Sequence, residues 1–530
     1  MTAYMGQMPL TIGTIFERMR TVNAGSVVVD ALPEGTTRQT YGEIADRVLR
    51  LVTVLRDLGV RPGDRVASFA NNTSRHLELY YAVPLAGAVL HMVNIRLHPE
   101  QLEYVIADAQ DQVVFVDDDL VPRLGDLSLP TVKHLVRLGK GDTEVPGLLD
   151  GESLIAGARP TEPAALPQLR EDDPSGICHT SGTTGMPKGV VYTHRAMFLH
   201  AMAICMVDAL AISERERVLP VVPLFHACGW GLPYAAPLTG ADLVLVGSDT
   251  SPEHLARVIA EEGVTWTAGV PTIWTALLPL ARTHDLSSLR TIGIGGSATP
   301  RALLEAYDEI GIEILQLWGM TETGPVAATS RPRRRHAGLD DEARRDVRAK
   351  TGYLLAGLEG RVCVENGDEA PWDGETVGEL EVRGPWVAGD YWGGAPDKFH
   401  DGWLRTGDMA AMEHDGYFRI VDRSKDLVKS GGEWISSVEL EGACLAHPAV
   451  REAAVVGVRS ERWDERPVVV AALAPGASLT LAELREFLAE RVAKWWLPDM
   501  LVVVDEVAKT SVGKYDKKVL RASLADVVLP

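Results

Sequence analysis

The sequence predicts an α/β protein made of a large N-terminal domain and a small α+β C-terminal domain. Helix-like and strand-like segments alternate through the first half of the chain, which is typical of a mainly parallel sheet covered by helices. Short strand-like runs between glycine-rich turns follow at residues 352–421 and predict a β-rich subdomain. A change of pattern after the polar stretch 422–426 predicts domains at residues 1–422 and 423–530.

The first predicted helix has clear signals at both ends. Thr40 and Glu43 form a capping box ahead of an apolar-periodic run that stops at Gly59. A Pro-Gly-Asp turn and a short strand at Arg65–Phe69 follow. The further strand-like runs of this half are Val113–Val116, Leu243–Val246, Thr265–Ala268 and Thr291–Ile294.

Two later helices are predicted from charge and capping. Residues 339–350 begin acidic and end basic, as a surface helix does when its charges complement the helix dipole. Thr480 and Glu483 form a second capping box, after strand-like runs at Ala453–Val458 and Val468–Leu473. The apolar face of the helix that this box predicts carries Leu484, Phe487, Leu488 and Val492.

Composition narrows the class of protein. The chain has 530 residues, 46% hydrophobic and 24% charged, as in a globular protein with a large core. Acidic residues exceed basic ones by 73 to 52, and the formal charge of −21 disfavours general nucleic-acid binding.

Cysteine usage and hydropathy predict a cytoplasmic protein. The five cysteines are far apart and form no C-x-x-C pair, so neither a zinc site nor a disulfide framework is supported. The N-terminus lacks the basic start and apolar core of a signal peptide. We find no apolar run of about 18 residues and expect no membrane span.

The loop at residues 180–189 is the first candidate site. It combines glycines and hydroxyl residues with Lys188, and such a loop can surround phosphate oxygens with N–H groups, hydroxyls and a cation. ATP is therefore the first candidate ligand. The spacing excludes a P-loop NTPase, because Pro187 precedes the lysine and Gly189 stands where that motif needs a hydroxyl.

Four further polar clusters contain residues that can bind parts of one nucleotide. In 318–324, the ring of Trp318 can stack on a purine and the carboxylate of Glu322 can hold Mg²⁺. In 403–408, Asp408 on a tight turn can accept ribose hydroxyls. The fourth cluster joins 422–426 to 429–434, and the fifth places Lys514 on a turn near the C-terminus.

These five clusters, in this order, resemble the signature motifs of the adenylate-forming superfamily, which includes acyl-CoA synthetases, firefly luciferase and peptide-synthetase adenylation domains. The resemblance covers nearly the whole chain. Three phrases, at residues 222–226, 430–436 and 493–498, look most similar to medium- and long-chain fatty-acyl-CoA synthetases. Three residues depart from the usual pattern: Trp318 and His179 stand where tyrosine is common, and Ala508 stands where the C-terminal motif usually has proline.

The resemblance implies an ATP-dependent acyl-CoA synthetase with Mg²⁺ and CoA. A medium- or long-chain fatty acid would become acyl-AMP with release of pyrophosphate, and CoA would then displace AMP. A small C-terminal domain would rotate between these half-reactions about a hinge at Lys425, and the enzyme would be a homodimer.

The resemblance also assigns roles residue by residue. The implied catalytic residues are Lys514, Glu322 and Lys429, and the implied metal ligands are Thr180 and Glu322. The implied ATP- and AMP-binding residues are Thr180, Ser181, Gly182, Thr183, Thr184, Gly185, Lys188, Trp318, Gly319, Thr321, Asp408 and Arg423. The implied acyl-binding residues are His226, Trp230, Gly295 and Gly296, and the implied CoA-binding residues are Gly431, Gly432, Glu433 and Trp434.

Several alternatives stay open. The chain can be an acyl-AMP ligase that loads a carrier protein, or a CoA ligase for a short branched, sulfur-containing or aryl acid. An amino-acid substrate is disfavoured because no acid follows Phe225 to pair with an amine. Nothing in the sequence marks light emission. Intact Lys514, Glu322 and Asp408 argue against a non-catalytic lipid- or nucleotide-binding relative.

Overall fold

The computed structural model of the protein describes residues 6, 8–180, 186–394, 398–430, 433–460, 462–510 and 514–529, without the side chain of Glu433. The elements before the loop at 180–189 are α1 (Ile12–Arg20), β1 (Val27–Leu32), β2 (Gly35–Thr40), α2 (Tyr41–Asp57), β3 (Arg65–Phe69), α3 (Ser74–Leu85), β4 (Val89–Met92), α4 (Pro99–Ala109), β5 (Asp111–Asp117), β6 (His134–Leu138), β7 (Leu148–Asp150), α5 (Gly151–Gly157) and β8 (Pro174–His179).

The elements that follow the loop continue the alternation of strands and helices. They are β9 (Gly189–Thr193), α6 (His194–Cys205), β10 (Arg217–Pro220), α7 (Leu232–Thr239), β11 (Asp242–Leu245), α8 (Pro252–Glu262), β12 (Trp266–Gly269), α9 (Pro271–Leu277), β13 (Thr291–Ile294), α10 (Arg301–Glu309), β14 (Glu313–Gly319), β15 (Val326–Thr329), α11 (Asp341–Ala349) and β16 (Tyr353–Leu354).

The remaining elements belong to the β-rich and C-terminal regions. They are β17 (Glu359–Cys363), β18 (Gly378–Arg383), β19 (Phe399–His400), β20 (Trp403–Met412), β21 (Phe418–Arg423), β22 (Val428–Ser430), β23 (Glu433–Ile435), α12 (Ser437–Leu445), β24 (Val450–Ser460), β25 (Asp464–Leu473), α13 (Leu481–Leu488), β26 (Met500–Val504) and α14 (Lys517–Ser523).

Two large sheets form the first part of the molecule. In the described chain, one sheet has the strand order β16-β15-β14-β13-β12-β10-β11-β1-β2 and the other β7-β6-β5-β3-β4-β8-β9. The largest apolar core takes residues from both sheets and from α1, α2, α3, α6 and α7. Smaller cores cover the outer faces, with α8–α10 on the first sheet and α4 on the second. Such burial on both faces explains the continuous apolar character of the parallel strands.

A β-rich region follows, as the sequence predicts. Its strands pair in the order β17-β18-β20-β19, with β21 added on β20. The β20–β21 pair places Asp408 opposite Arg423, which brings a predicted ribose-binding acid and its helper together at the edge of the region.

The C-terminal region has its own sheet, with β23-β22-β25-β24 in order and β26 paired with β25. Side chains alternate across a strand, so Ala453 and Val455 pack in one core with α12 and α13, while Ala454 and Val456 pack in a second core with α14. Both cores draw their buried members only from residues 428–529.

Most predicted elements match the structure. The capping box at Thr40 and Glu43 begins α2, and the strands at Arg65–Phe69 and Thr291–Ile294 have the predicted bounds. The prediction for Val492 was wrong, because α13 ends at Leu488. A turn follows, in which the Val492 N–H still bonds to the Leu488 carbonyl at 3.0 Å, and Val492 packs against the same core from this turn. None of the described helices is long and apolar enough to cross a membrane.

Candidate functional site

The candidate site is a cavity of about 820 Å³ that the large sheets, the β-rich region and the C-terminal region share. Its floor is built where four adjacent parallel strands end, at Val221 after β10, Gly269 in β12, Gly295 after β13 and Gly319 in β14. Ligands of open α/β sheets bind at such carboxyl ends of strands. We call the part of the lining that includes Thr180, Lys188 and Glu322 the polar arm. We call the part that includes Val222 and Ile273 the apolar arm.

The base of the phosphate loop is the hairpin of β8 and β9. The Thr180 N–H donates to the Lys188 carbonyl at 2.8 Å, and the Lys188 N–H donates to Thr180 Oγ1 at 3.3 Å. Both residues line the cavity. The predicted phosphate ligands Ser181, Gly182, Thr183, Thr184 and Gly185 lie outside the described residues.

A series of hydrogen-bonded polar side chains supports the end of β8 in this hairpin. His179 Nε2 lies 3.0 Å from Asp108 Oδ2, and His179 Nδ1 lies 3.0 Å from His91 Nε2. His91 Nδ1 in turn lies 2.7 Å from Asp111 Oδ2. Burial lowers the pKa of His179 to about 4, so its imidazole is neutral near pH 7. The sequence motifs assign no role to His179, and in the structure it links the end of β8 to α4 and β4.

Glu322 stands opposite the hairpin and is buried. The Tyr391 hydroxyl donates a hydrogen bond to its Oε1, while Lys188 Nζ lies 5.2 Å from the centre of the Tyr391 ring. Within the described residues this hydrogen bond engages Oε1 of Glu322, and a carboxylate offers further acceptor sites to a ligand. No local sequence pattern indicates Tyr391, which lies 69 residues further along the chain.

The Asp408 carboxylate contacts two side chains at the end of the cavity where the nucleoside is expected. Trp318 Nε1 donates to Asp408 Oδ2 at 2.9 Å, and Arg423 Nε lies 3.3 Å from Asp408 Oδ1. The ring at 318 and the acid at 408 are therefore held as one unit. A tyrosine has no N–H to donate at this place, so the indole of Trp318 adds a direct link to Asp408.

Lys514 enters the same cavity from the C-terminal region. Its Cε lies only 3.2 Å from where a Cβ would stand on Gly296, whose φ of +88° also favours glycine. Burial and, to a smaller extent, the neighbouring Arg423 lower the pKa of Lys514 to about 8 against the opposing effects of Asp408 and Glu322. Lys514 is thus a desolvated cation beside the acids of the polar arm.

Trp230 belongs to the apolar arm. Its Cη2 lies 2.9 Å from an ideal Cβ position on Gly295, so that glycine makes room for the indole. Burial lowers the pKa of the neighbouring His226 to about 3, with smaller effects from Lys514 and Arg96. The remaining apolar lining is supplied mainly by Val221, Val222, Val270, Ile273, Leu317 and Val326.

A left-handed turn directs Trp230 into this arm. Five consecutive residues, 227–231, have φ values of 39°, 46°, 52°, 55° and 78°. Left-handed conformation costs a residue other than glycine roughly 1–2 kcal/mol, and three residues of the turn carry side chains. Strain of this kind persists where surrounding packing imposes it, often at binding sites. Nothing in the sequence pattern predicted this turn.

Most predicted site residues line the cavity, and Asp408, which is not in the described lining, contacts two residues that are, Trp318 and Arg423. The cavity lining includes Thr180, Lys188, His226, Trp230, Gly295, Gly296, Trp318, Gly319, Thr321, Glu322, Arg423, Lys425 and Lys514. Lys429 and Trp434 pair across the β22–β23 hairpin and are absent from the described lining. Gly431, Gly432 and the side chain of Glu433 lie outside the described residues.

Two family models match the chain. The model described as AMP-binding enzyme matches residues 17–392, and the AMP-binding enzyme C-terminal domain matches residues 439–514.

Curated relatives are similar over nearly the full length. The chain is 42% identical to a long-chain fatty acid–CoA ligase of Thermus thermophilus, covering 97% of this chain and 95% of the relative. It is 39% identical to a medium-chain fatty acid–CoA ligase of Ectopseudomonas oleovorans, with coverages of 99% and 98%. It is 40% identical to a 3-methylmercaptopropionyl-CoA ligase of Ruegeria pomeroyi, with 99% of both chains covered.

A solved structure shares the architecture. The anthranilate CoA ligase AuaEII in complex with anthranoyl-AMP superposes with a TM-score of 0.88 at 26% identity, over 98% of each chain.

The contact between Tyr391 and Glu322 generates a first testable prediction. We expect Tyr391→Phe to weaken Mg²⁺-dependent ATP binding by roughly tenfold, because the Glu322 carboxylate loses the donor that orients it. Titration calorimetry with ATP at several Mg²⁺ concentrations measures this.

The matched control is Tyr307→Phe, which removes a buried hydroxyl that donates to the Trp274 carbonyl at 2.8 Å away from the cavity. It should lower thermal stability without changing Mg²⁺-dependent ATP binding. Unchanged ATP binding in Tyr391→Phe would contradict the positioning of Glu322 by Tyr391.

Proposed function

The chain belongs to the AMP-binding enzymes of the adenylate-forming superfamily, and from this membership we propose that it is an ATP-dependent acyl-CoA synthetase for medium- or long-chain fatty acids. Its relatives are CoA ligases, and the family acts through an acyl-AMP intermediate. The chain is accordingly an AMP-forming acid–CoA ligase, and the identity of the acid is the part that is proposed.

One observation carries the proposal, the continuity of the polar and apolar arms in one cavity. Lys514 lies at the junction beside Gly296, next to the glycine that faces Trp230. A fatty acid bound with its tail in the apolar arm would place its carboxylate near that ammonium and near the nucleotide. The apolar lining and neutral His226 favour an uncharged tail over a second charged group.

The first half-reaction joins the acid to the α-phosphate of ATP. A carboxylate oxygen attacks the α-phosphorus, the bond from this phosphorus to the bridging oxygen breaks, and pyrophosphate leaves. The ammonium of Lys514 would stabilise negative charge that develops on the α-phosphate oxygens. Lys188 and the loop that begins at Thr180 would hold the β- and γ-phosphates, and Trp318 and Asp408 with Arg423 would hold adenine and ribose.

Magnesium fits the donors of the polar arm. The described residues contain no group of three or more histidine, cysteine or acidic side chains able to hold a metal. Mg²⁺ typically takes one or two carboxylates and completes its shell with substrate phosphates and water. The carboxylate of Glu322 and the hydroxyl of Thr180 would hold it, and it would neutralise charge on the departing pyrophosphate.

The second half-reaction needs a different face of the C-terminal region. The CoA sulfur attacks the acyl carbonyl, AMP leaves, and the thiol proton passes to solvent. We propose that domains 1–422 and 423–530 reorient about Lys425, which withdraws Lys514 and brings Lys429, Trp434 and the 431–433 loop to the cavity. Two separate apolar cores within residues 428–529 support this unit as one that can move as a body.

Location, assembly and a second candidate substrate complete the proposal. The five free cysteines suit a reducing cytoplasm, and the resemblance implies a homodimer. The 40% identity to a 3-methylmercaptopropionyl-CoA ligase favours a small sulfur-containing acid as the second candidate substrate, which a panel of acids tests directly.

We expect Lys514→Ala to reduce acyl-AMP formation by at least about 100-fold, because an electrostatic contact to the reacting phosphate is lost. Thioester formation from supplied acyl-AMP should be largely retained. Pyrophosphate release and acyl-CoA formation measure the two steps separately.

Lys509→Ala is the control, because it removes a neighbouring lysine that pairs with Glu452 and Glu506 instead of entering the cavity. Equal losses in both half-reactions of Lys514→Ala would contradict the proposed role.

The lowered pKa of Lys514 predicts the pH dependence of the first step. The active form is the ammonium, so kcat/KM for ATP should fall as pH rises through about 8, because kcat/KM reports groups of the free enzyme. The saturated kcat should fall at higher pH, since bound phosphates stabilise the ammonium.

In Lys514→Arg the guanidinium stays charged. The fall of kcat/KM with rising pH should therefore disappear, although the activity is lower. If the pH profile of kcat/KM in Lys514→Arg is identical to that of the unsubstituted enzyme, the fall at high pH belongs to another group.

Trp230 and Gly295 predict chain-length selectivity. Gly295→Ala places a Cβ 2.9 Å from the Trp230 ring and should shift the optimum of a C4–C18 acid panel toward shorter acids. Trp230→Ala opens the arm and should shift the optimum toward longer ones. Pyrophosphate release with each acid, with 3-methylmercaptopropionate included, measures the shift, and an optimum that stays the same in both variants rules out the assignment of this arm to the acyl chain.

A further inference from the structure

Helix α4 meets both strands of the β8–β9 hairpin at Asp108. His179, the last residue of β8, places its Nε2 3.0 Å from Asp108 Oδ2. On β9, Gly189 pairs with His179, and the Gly189 carbonyl accepts from the Trp392 N–H at 2.7 Å. The Trp392 indole N–H donates to the Asp108 carbonyl at 3.1 Å. One strand thus contacts Asp108 through its side chain and the other through its backbone. We call Asp108, His179, Gly189 and Trp392 the hairpin junction.

The hairpin junction is closely packed around Gly189. A Cβ at this position would stand 3.3 Å from His179 Nε2 and 3.0 Å from Trp392 Cβ. These separations are shorter than ordinary van der Waals contact. The absence of a side chain at Gly189 therefore allows the His179 imidazole and the Trp392 backbone to approach the same point of the hairpin.

Asp108 carries an unfavourable charge for its position in α4. It is the penultimate residue of this helix, whose last turn has no basic residue. The partial negative charge at the C-terminus of a helix disfavours a carboxylate there. Residues that go against a local preference are expected where tertiary contacts or function require them. At Asp108 the required contact is the one with His179.

The directions of the hydrogen bonds follow from the groups that meet. His179 Nδ1 lies 3.0 Å from His91 Nε2, and a neutral imidazole has one donor nitrogen and one acceptor nitrogen. Because the Asp108 carboxylate accepts, His179 donates from Nε2 and accepts from His91 at Nδ1. His91 Nδ1 and the fully buried Asp111, 2.7 Å apart, share the next proton. His91 therefore fixes the tautomer in which His179 donates to Asp108.

The hairpin junction lies directly beside two residues of the cavity. Thr180 follows His179 in the chain, and Lys188 precedes Gly189. Thr180 and Lys188 line the cavity, whereas the four junction residues are absent from its described lining. A displacement of the junction would move the Thr180 hydroxyl and the Lys188 ammonium relative to bound phosphates, and errors of about 1 Å in such positions are costly.

We propose that Asp108 is a positioning residue for the triphosphate of ATP, acting through the hairpin junction on Thr180 and Lys188, an inference that rests on the proposed function. Asp108 itself touches neither the nucleotide nor the acid. Its effect is confined to ligands with β- and γ-phosphates, because the proposed contacts to adenine and ribose come from Trp318 and Asp408, on strands β14 and β20.

The test compares ATP with AMP, which lacks the β- and γ-phosphates. In Asp108→Ala, titration calorimetry with Mg²⁺ should show ATP bound roughly tenfold more weakly, as for the loss of a hydrogen bond to a charged group. AMP should bind with unchanged affinity. KM for ATP in pyrophosphate release should rise in parallel, while thioester formation from supplied acyl-AMP should be unchanged. Trp392→Phe removes the indole N–H and should have a smaller effect of the same kind.

Two substitutions of His179 separate its two hydrogen bonds. The amide of glutamine takes the place of Nε2, the amide of asparagine takes the place of Nδ1, and either amide can donate or accept. His179→Gln retains the contact with Asp108 and should bind ATP nearly as well as the unsubstituted enzyme. His179→Asn retains only the contact with His91 and should lose as much ATP affinity as Asp108→Ala. The reverse order would overturn the role of Asp108.

Asp415→Ala is the matched control. It also removes a partly buried carboxylate beside a buried histidine, since Asp415 Oδ2 lies 3.6 Å from His336 Nε2, and both residues are outside the described lining of the cavity. This variant should lower thermal stability without changing the affinity for ATP or AMP.

In Asp108→Ala, either equal weakening of ATP and AMP binding or an unchanged ATP affinity would overturn the proposal. The proposed function fails in a distinguishable way, because the unsubstituted enzyme would then release no pyrophosphate with any fatty acid, while its binding of ATP and AMP could still be compared with that of the variants.

Discussion

The burial of the Lys514 ammonium against Gly296 is the interaction on which the rest of the site depends. Removing that charge from water lowers the pKa of Lys514 to about 8. Asp408 and Glu322 compensate only in part, since Arg423 acts in the opposite direction. Bound polyphosphate would supply the missing negative charge. Lys514 would therefore be held most firmly while ATP is present and would lose its main partner when pyrophosphate leaves, which is the point at which the proposed cycle requires it to withdraw.

The two carboxylates of the polar arm are held in place before any ligand binds. Trp318 and Arg423 occupy the oxygens of Asp408, and Tyr391 occupies one oxygen of Glu322. Groups held in this way need little reorganisation when charge develops in a reaction. The donors come from β14, β21 and the segment after β18, so the site becomes complete only when the large sheets and the β-rich region have assembled.

Local signals were enough to predict much of the fold, and long-range contacts account for what was missed. The capping box at Thr40 and the strand at Arg65–Phe69 depend on neighbouring residues, and both are confirmed. The link from His179 to His91 spans 88 residues and that from Tyr391 to Glu322 spans 69, so no local pattern contains them. The left-handed turn that aims Trp230 is imposed by packing against its local preference. Motif resemblance supplied the list of site residues, and the structure supplied the contacts among them.

The fold of the C-terminal region itself argues for two working orientations. Ala454 and Val456 face the core that includes Leu520 of α14, and Tyr515, the neighbour of Lys514, packs against that core. Ala453 and Val455 face the opposite core, which contains Ile435 and is joined by Trp496. Lys514 lines the cavity, whereas Lys429 and Trp434 of the β22–β23 hairpin are absent from its described lining. A second half-reaction that uses Trp434 would therefore require this region to turn as a unit, which its two separate cores allow.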